Sequence, residues 1–294
     1  MKRIDCHTHL QTKSLIDEYF ANSSRAERER ERESSIDYYA IAIKALDSLI
    51  GNGDDFYDAV KDYKNVFICE CIDAFSDVSI ERQLEKIEEN LKKYQTIGVK
   101  IYLGYQPIFA DDPKLFPVYK FCEKHSLSAV FHCGVGASNL YSDQSKNYAS
   151  SAPIGRVAKM FPNVNFIASH FDWPNFDDCL KAITENPNVF TDISGEYENF
   201  ENKPYSELIK MFVGQLSPHL KNYNKQEVAK KVMFGTDYFG EGSGFEAIEE
   251  YVQTLEILFG KEYEADYLFN TCARAYPKIK EYILKNKKVD EKNQ

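Results

Sequence analysis

The chain has 294 residues, 43% of them hydrophobic, which is enough for one large core and long for one ordinary domain. Lys and Arg total 36 against 46 Asp and Glu, a net charge of −10 that argues against a nucleic-acid backbone or an anionic membrane as main partner. No apolar run approaches the ~20 residues of a membrane span, and the opening Met1-Lys2-Arg3-Ile4-Asp5-Cys6-His7 has no apolar signal core. Seven cysteines, odd in number and sparse, fit a reducing cytoplasm better than a disulfide framework.

Short β-rich runs recur along the chain, separated by helix-length segments. Arg3–His7 is the first. Tyr39–Leu46 reads as a second strand or as part of a helix. Asn65–Ile72, Gly98–Leu103, Ser128–Cys133, Asn165–His170, Asn188–Ile193 and Lys231–Phe234 complete a set of eight. They are β-branched, aromatic and apolar on both faces, as strands buried between two layers should be. Between them, Ile80, Leu84, Ile87, Leu91 and Tyr94 recur every three or four positions, predicting a helix over Ile80–Ile97. Glu246–Leu258 and Tyr263–Leu284 read the same way.

Strands alternating with helices imply right-handed crossovers and a parallel sheet. Eight units over this length point to a single-domain α/β (β/α)₈ barrel covering 1–284, followed by a charged tail, 285–294, expected to fray. Within Arg25–Glu33 the charges alternate in sign from Glu27 onward, so i,i+3 attraction and i,i+4 repulsion partly cancel on a helix. It reads either as a solvated helix face or as a helical flap over the site after the first strand.

Two of the six histidines lie in Asp5-Cys6-His7-Thr8-His9, at the end of the first strand. Alternation along a strand predicts that His7 and His9 point one way into the barrel mouth, with Asp5 on the same face as an orienting partner. By the same parity Cys6, and Cys133 beside His132, are expected to face the outer helices. Cys69 and Cys71 read as small barrel residues on one strand face. Paired imidazoles suit Zn²⁺ or a similar ion. His132 and His170 end the fifth and sixth strands, Asp237 lies just beyond the eighth, and Lys100 lies in the fourth. All fall at the C-terminal side, where barrel enzymes build their sites.

Together these features resemble the amidohydrolase superfamily: Asp-x-His-x-His, the Gly-Val-Lys-Ile-Tyr strand, strand-end His132 and His170, and Phe-Gly-Thr-Asp at Phe234–Asp237. The segments Ser169–Pro174 and Asn270–Tyr276 look most like the amidohydrolase-related (amidohydrolase 2) branch, which also contains decarboxylases and lactonases. The resemblance implies metal ligands at His7, His9, His132 and Asp237. His170 would ligate a second metal or hydrogen-bond the attacking water or the substrate. Lys100 matches a lysine that is carboxylated and bridging in binuclear members. One divalent metal, Zn²⁺, is the expected cofactor, and two remain open.

A divalent ion held by histidines and a carboxylate can bring the pKa of a water down to ~7. Asp237 would accept that water's proton and return it to the leaving atom, and His170 would stabilise the developing oxyanion. The expected activity is hydrolysis of an amide, lactone or ester of a small molecule. The alternative is non-oxidative decarboxylation of a small, aromatic-type carboxylic acid on the same site. A metal-dependent deoxyribonuclease also begins with Asp-x-His-x-His, but it carries a Glu where this chain has Lys100. A barrel that binds without catalysis is opposed by the full ligand set. Substrate contacts are expected from Tyr102, Asp172, Trp173 and Tyr238, with Tyr105, Gln106, Glu241 and the loop Gly134–Asn147 nearby. Arg25 or Arg28 would meet a substrate carboxylate if the flap closes. Expected partners are the small-molecule substrate and at most a second copy in a homodimer, with no nucleic acid and no membrane.

Overall fold

The computed structural model describes residues 2–30, 37–46, 54–136, 145–195, 203–240 and 248–292. Eight strands form one sheet in sequence order: β1 Lys2–Thr8, β2 Asp37–Ile43, β3 Val66–Ile72, β4 Thr96–Ile101, β5 Ser128–Phe131, β6 Phe166–Ala168, β7 Val189–Asp192 and β8 Val232–Met233. Every neighbouring pair is parallel. The sheet closes between first and last strands: Cys6 N donates to Phe234 O (3.1 Å), Asp237 N to His7 O (2.8 Å) and His9 N to Tyr238 O (2.6 Å). The (β/α)₈ barrel expected from the strand count is therefore the fold. Tyr39–Leu46 contains a strand, but Lys44–Leu46 lie beyond its end.

The outer layer is α1 Lys13–Arg30, α2 Asp54–Val60, α3 Ile80–Asn90, α4 Phe116–His125, α5 Ala152–Met160, α6 Phe176–Glu185, α7 Tyr205–Leu220, α8 Lys225–Ala229 and α9 Ile248–Phe259, then α10 Thr271–Ala275 and α11 Lys278–Lys292. Ser79 caps α3, accepting from Arg82 N, and Ile80, Leu84 and Ile87 form its buried stripe. This helix is shorter than the periodicity predicted because Thr96 and Ile97 join β4. The segment Tyr263–Leu284 is not one helix. Pro277 forces Tyr276 into an extended backbone (φ −117°, ψ 92°), splitting α10 from α11. The last helix continues through Lys292, across most of the segment expected to fray. Among the described residues, no helix is long and apolar enough to cross a membrane.

Two buried clusters divide the interior. One lies inside the barrel, with Ile4, Ile41, Phe67, Ile97, Val130, Ile167, Phe190 and Met233, and is plugged from below by Tyr276, Ile279 and Ile283. The other lies between strands and helices. Simple alternation fails at two places. On β1, Asp5 pairs with Ala40 and Thr8 with Ala42, so Cys6 and His7 together oppose one residue. On β4, Thr96 pairs with Ile68 and Gly98 with Cys69, leaving Ile97 extra. Such bulges put two consecutive side chains on one face. Hence Cys6 packs inside the barrel, contrary to the parity reading, whereas Cys133 packs outside as expected. Asp5 turns outward, bonding Tyr19 of α1 (2.7 Å), and does not share the face of His7. Cys69 and Cys71 share the inner cluster.

Gly98 marks how closely the β4 bulge is packed. A Cβ there would stand 2.9 Å from Cys69 Sγ and 3.0 Å from Ser128 O. Gly98→Ala should lower stability by ~1–3 kcal/mol, read as a Tm loss of several degrees. Gly214→Ala, in exposed α7 where an added Cβ meets nothing within 4 Å, should instead leave Tm unchanged or raise it, by up to ~1 kcal/mol.

Candidate metal centre and active site

Three histidines are oriented by acceptors behind them. His9 Nδ1 lies 3.2 Å from Ile43 O, and His170 Nδ1 lies 2.9 Å from Ser194 O. His7 Nδ1 faces Asp192 Oδ2 at 3.6 Å. Carbonyl and carboxylate oxygens can only accept, so these contacts assign the ring proton to Nδ1 and leave the Nε2 lone pairs free. Two of those lone pairs are aimed at one oxygen: Asp237 Oδ1 is 3.3 Å from His7 Nε2 and 3.1 Å from His9 Nε2. Asp237 Oδ1 is buried and accepts no hydrogen bond. Acceptor facing acceptor is repulsive unless a cation stands between them. One ligand atom each from His7, His170 and Asp237 lie within 4.8 Å of one another, a nitrogen and oxygen set suited to a borderline divalent metal.

Burial holds His7 and His132 neutral. It pushes His7 down to about 3, with the charge of Lys100 acting the same way and outweighing Asp237 and Asp192. Burial, then His170 and Lys100, likewise hold His132 well below the ordinary range. Burial works against ionisation of Asp237, but positive charge on His7 and a hydrogen bond from His9, whenever those rings carry the extra proton, hold its carboxyl well below the usual carboxylate range. Neutral nitrogens and an ionised carboxylate are the protonation states a metal needs.

The backbone at two of these residues is strained. Asp237 has φ 61°. His170, Phe171 and Asp172 are consecutive left-handed residues with φ 62°, 49° and 53°. Each such conformation costs a non-glycine residue of order 1 kcal/mol or more. Asp192 holds the first in place, with Oδ1 accepting from His170 N (3.1 Å), Ser194 N (3.1 Å) and Ser194 Oγ (2.5 Å). Asp192 thus stands behind both His7 and His170. Sequence reading missed it, although it ends β7 as Asp237 follows β8, and the same strand-end rule would have found it. His132 sits in the ring of groups, its centroid 4.9 Å from those of His170 and Tyr105.

Lys100 is fully buried, and among the described residues it makes no ion pair. Its Nζ is 3.5 Å from His7 Nε2 and 3.5 Å from Ser169 Oγ. Burial pushes its pKa down, only partly opposed by Asp237 and Asp192. The ammonium also lies 5.2 Å from the centroid of Tyr102.

Of the four expected substrate contacts, only Tyr102 lines the site. Its ring stacks 6.4 Å from that of His9, and its hydroxyl donates to Lys44 O (3.1 Å). Asp172 is wholly buried, accepting from Ser151 N (2.7 Å), Ser151 Oγ and Asn175 Nδ2; it holds the strained turn and offers nothing to the mouth. Trp173 packs against the outer core and donates to Gln215 of α7 (2.9 Å). Tyr238 turns outward, its hydroxyl donating to Glu18 of α1 (3.0 Å). In each case the outward turn of the strand end, which simple adjacency to a histidine does not reveal, decides the direction. Gln106 ties β4 to β3 by accepting from Ala74 N (2.7 Å) and donating to Ile72 O (3.0 Å). Residues 137–144 of the loop after His132, Glu241, and the side chains of Arg25 and Arg28 lie outside the described residues; the backbone is helical through Arg30.

A closed parallel barrel with imidazoles, a carboxylate and a buried lysine converging at its C-terminal rim has the architecture of an enzyme. The amidohydrolase (amidohydrolase 2) family model matches residues 4–266, and the chain belongs to that family. An uncharacterised TIM-barrel protein from Bordetella bronchiseptica superposes with TM-score 0.63 at 17% identity, over 94% of this chain and 98% of that one. A probable 2-pyrone-4,6-dicarboxylic acid hydrolase from Acinetobacter baumannii gives 0.63 at 13% identity, over 94% and 99%. The 5-carboxyvanillate decarboxylase of Sphingomonas paucimobilis gives 0.52 at 12% identity, over 94% and 99%. No curated protein matches the sequence.

Burial pushes Asp172 up to about 7, against the hydrogen bonds from Ser151. The unfolded chain loses this proton near the ordinary 3.8, whereas the fold keeps it to about 7. Between those values the folded state binds more protons, so this group's contribution to stability falls as pH rises, by at most ~1.4 kcal/mol per pH unit. Urea denaturation of metal-free protein from pH 4.5 to 8 should show the stability difference between wild type and Asp172→Asn moving against wild type with rising pH, then levelling above 7. A difference independent of pH would contradict the assignment.

Proposed function

We propose that this chain is a metal-dependent hydrolase that cleaves an amide, lactone or ester bond of a small molecule, with Zn²⁺ bound by His7, His9, His132 and Asp237. The observation that carries the reading is the pair of histidine Nε2 lone pairs aimed at an Asp237 oxygen that accepts no hydrogen bond. When bound, the metal supplies a polarised carbonyl and a water acidic enough to react near neutral pH. Asp237 then accepts the proton of the attacking water and returns it to the leaving nitrogen or oxygen. His170, fixed by Ser194 O and by Asp192, turns its Nε2 lone pair toward the same cluster, where it would accept a hydrogen bond from the attacking water and orient it. Asp192 orients His7 and His170 and touches no reacting atom. Tyr102 forms the wall against which the substrate lies.

Non-oxidative decarboxylation is the second reading, supported by a 5-carboxyvanillate decarboxylase among the structures of this fold. In that reaction Asp237, having taken a proton from a bound water, would deliver it to the substrate carbon as the bond from that carbon to its carboxylate breaks and CO₂ leaves, in place of attack by water. Lys100, buried and of lowered basicity, has the environment in which an amine takes up CO₂, so carboxylation and a second metal are the variant of this centre. A reducing cytoplasm as compartment is supported by seven cysteines with no disulfide between any of them among the described residues.

Elemental analysis of protein purified without chelator should give about one zinc per chain, reduced at least tenfold in His7→Ala and Asp237→Asn. A ratio near two, lost in Lys100→Ala, would overturn the single-metal reading. With a turned-over lactone, amide or carboxylic acid, ¹⁸O from labelled water should enter the product; CO₂ release without label would establish the decarboxylase instead.

A further inference from the structure

At the opposite, N-terminal end of the barrel lies a cavity of about 220 Å³ between the start of β3, the ends of α2 and α3, and α11. Its construction is layered. The floor is buried and apolar, from Val60, Val66 and Ile68. The walls are half-buried and largely aromatic, from Tyr63, Tyr94, Tyr282 and Leu91. The rim is exposed and consists of Lys61, Lys64, Lys92, Lys93 and Lys285. No Asp or Glu is among the lining residues, in a chain with ten more acids than bases.

Two further observations bear on what this cavity accepts. Its carboxamides are already committed: Gln95 Nε2 donates to the carbonyls of Tyr63, Lys64 and Val66, and Asn286 Nδ2 to Lys64 O and Gln95 Oε1. Lys92, Lys93 and Lys285 are therefore the main polar groups left to face a ligand. Among the described residues Lys92, Lys93 and Lys285 make no ion pair, whereas Lys61 bonds Asp58 (2.8 Å). Lysines just after α2 and α3 complement the C-terminal dipoles of those helices. That account does not cover Lys285, which comes from the middle of α11 and converges on the same opening.

We propose that this cavity is a second ligand site, separate from the barrel mouth, which binds a small aromatic carboxylate. The ring would lie on the apolar floor between the tyrosines, and the carboxylate at the rim among Lys92, Lys93 and Lys285. The volume admits one substituted benzene ring. The site does not rest on the metal-centre reading. Because the cavity joins α11, which plugs the barrel floor through Ile279 and Ile283, to β3 and α3, an occupant would stiffen the base of the barrel.

The test is ¹⁹F NMR titration of 4-fluorobenzoate into the full chain. Asp237→Asn, which alters the mouth, should retain the binding isotherm. Lys92→Met/Lys93→Met/Lys285→Met should weaken it about tenfold or more, with Tm unchanged. Raising salt should weaken wild-type binding, as expected of rim charges in water. Inorganic phosphate and 4-fluorobenzyl alcohol, each lacking one half of the ligand, should compete poorly. Unchanged affinity in the triple variant, or loss of binding in Asp237→Asn, would overturn the proposal. Should the triple variant fail to fold, the single Lys285→Met, with an expected several-fold loss, decides in its place.

Discussion

The β1 bulge is the constraint on which the site depends. By seating Cys6 and His7 together against one residue of β2, it lets Asp5 face the helices while His7, two residues later, faces the mouth. Regular alternation would send Asp5 and His7 the same way. The outward carboxylate is then free to clasp the neighbouring strand: Asp5 accepts from His7 N, Thr236 N, Thr236 Oγ and Tyr19 Oη. One side chain thereby fixes the backbones carrying His7 and Asp237 relative to each other. The β4 bulge does the equivalent for Lys100: without it, the alternation that puts Ile97 inside would turn Val99 and Ile101 inward and send Lys100 into the helix layer.

Around this seam the protein places groups that would be unstable elsewhere. A buried lysine without a carboxylate, three successive left-handed residues and a carboxylate oxygen without a donor occur within one small region. Each is destabilising by itself. A core of apolar residues inside and outside the strands must supply the stability that tolerates them. Such concentration is the usual mark of a site built for chemistry rather than for packing.

The eight strands were legible because buried parallel strands are short apolar runs between helical periodicities, and their order follows from the chain. The strand-end residues His132, His170 and Asp237 were legible through the C-terminal-face rule. Side-chain direction was not. Parity misplaced Asp5 and Cys6 because a bulge leaves no mark in local composition. Adjacency to His170 and Asp237 suggested that Asp172, Trp173 and Tyr238 face the mouth, yet left-handed backbone at His170 and Asp237 turns the chain away immediately afterwards. Asp192 was visible in principle but has no distinctive motif around it.

The seam has a kinetic consequence. Asp237 N bonds His7 O, so the contact completing the barrel joins residues separated by most of the chain. Closing so long a loop is among the slowest and last-rewarded events in folding. The same contact brings the carboxylate to the imidazoles. Growth of the nascent polypeptide therefore passes through every earlier strand before the cluster is complete. Completion of the cluster is coupled to the final docking step, and a chain that has stalled before its eighth strand holds the four histidines but lacks the carboxylate of Asp237.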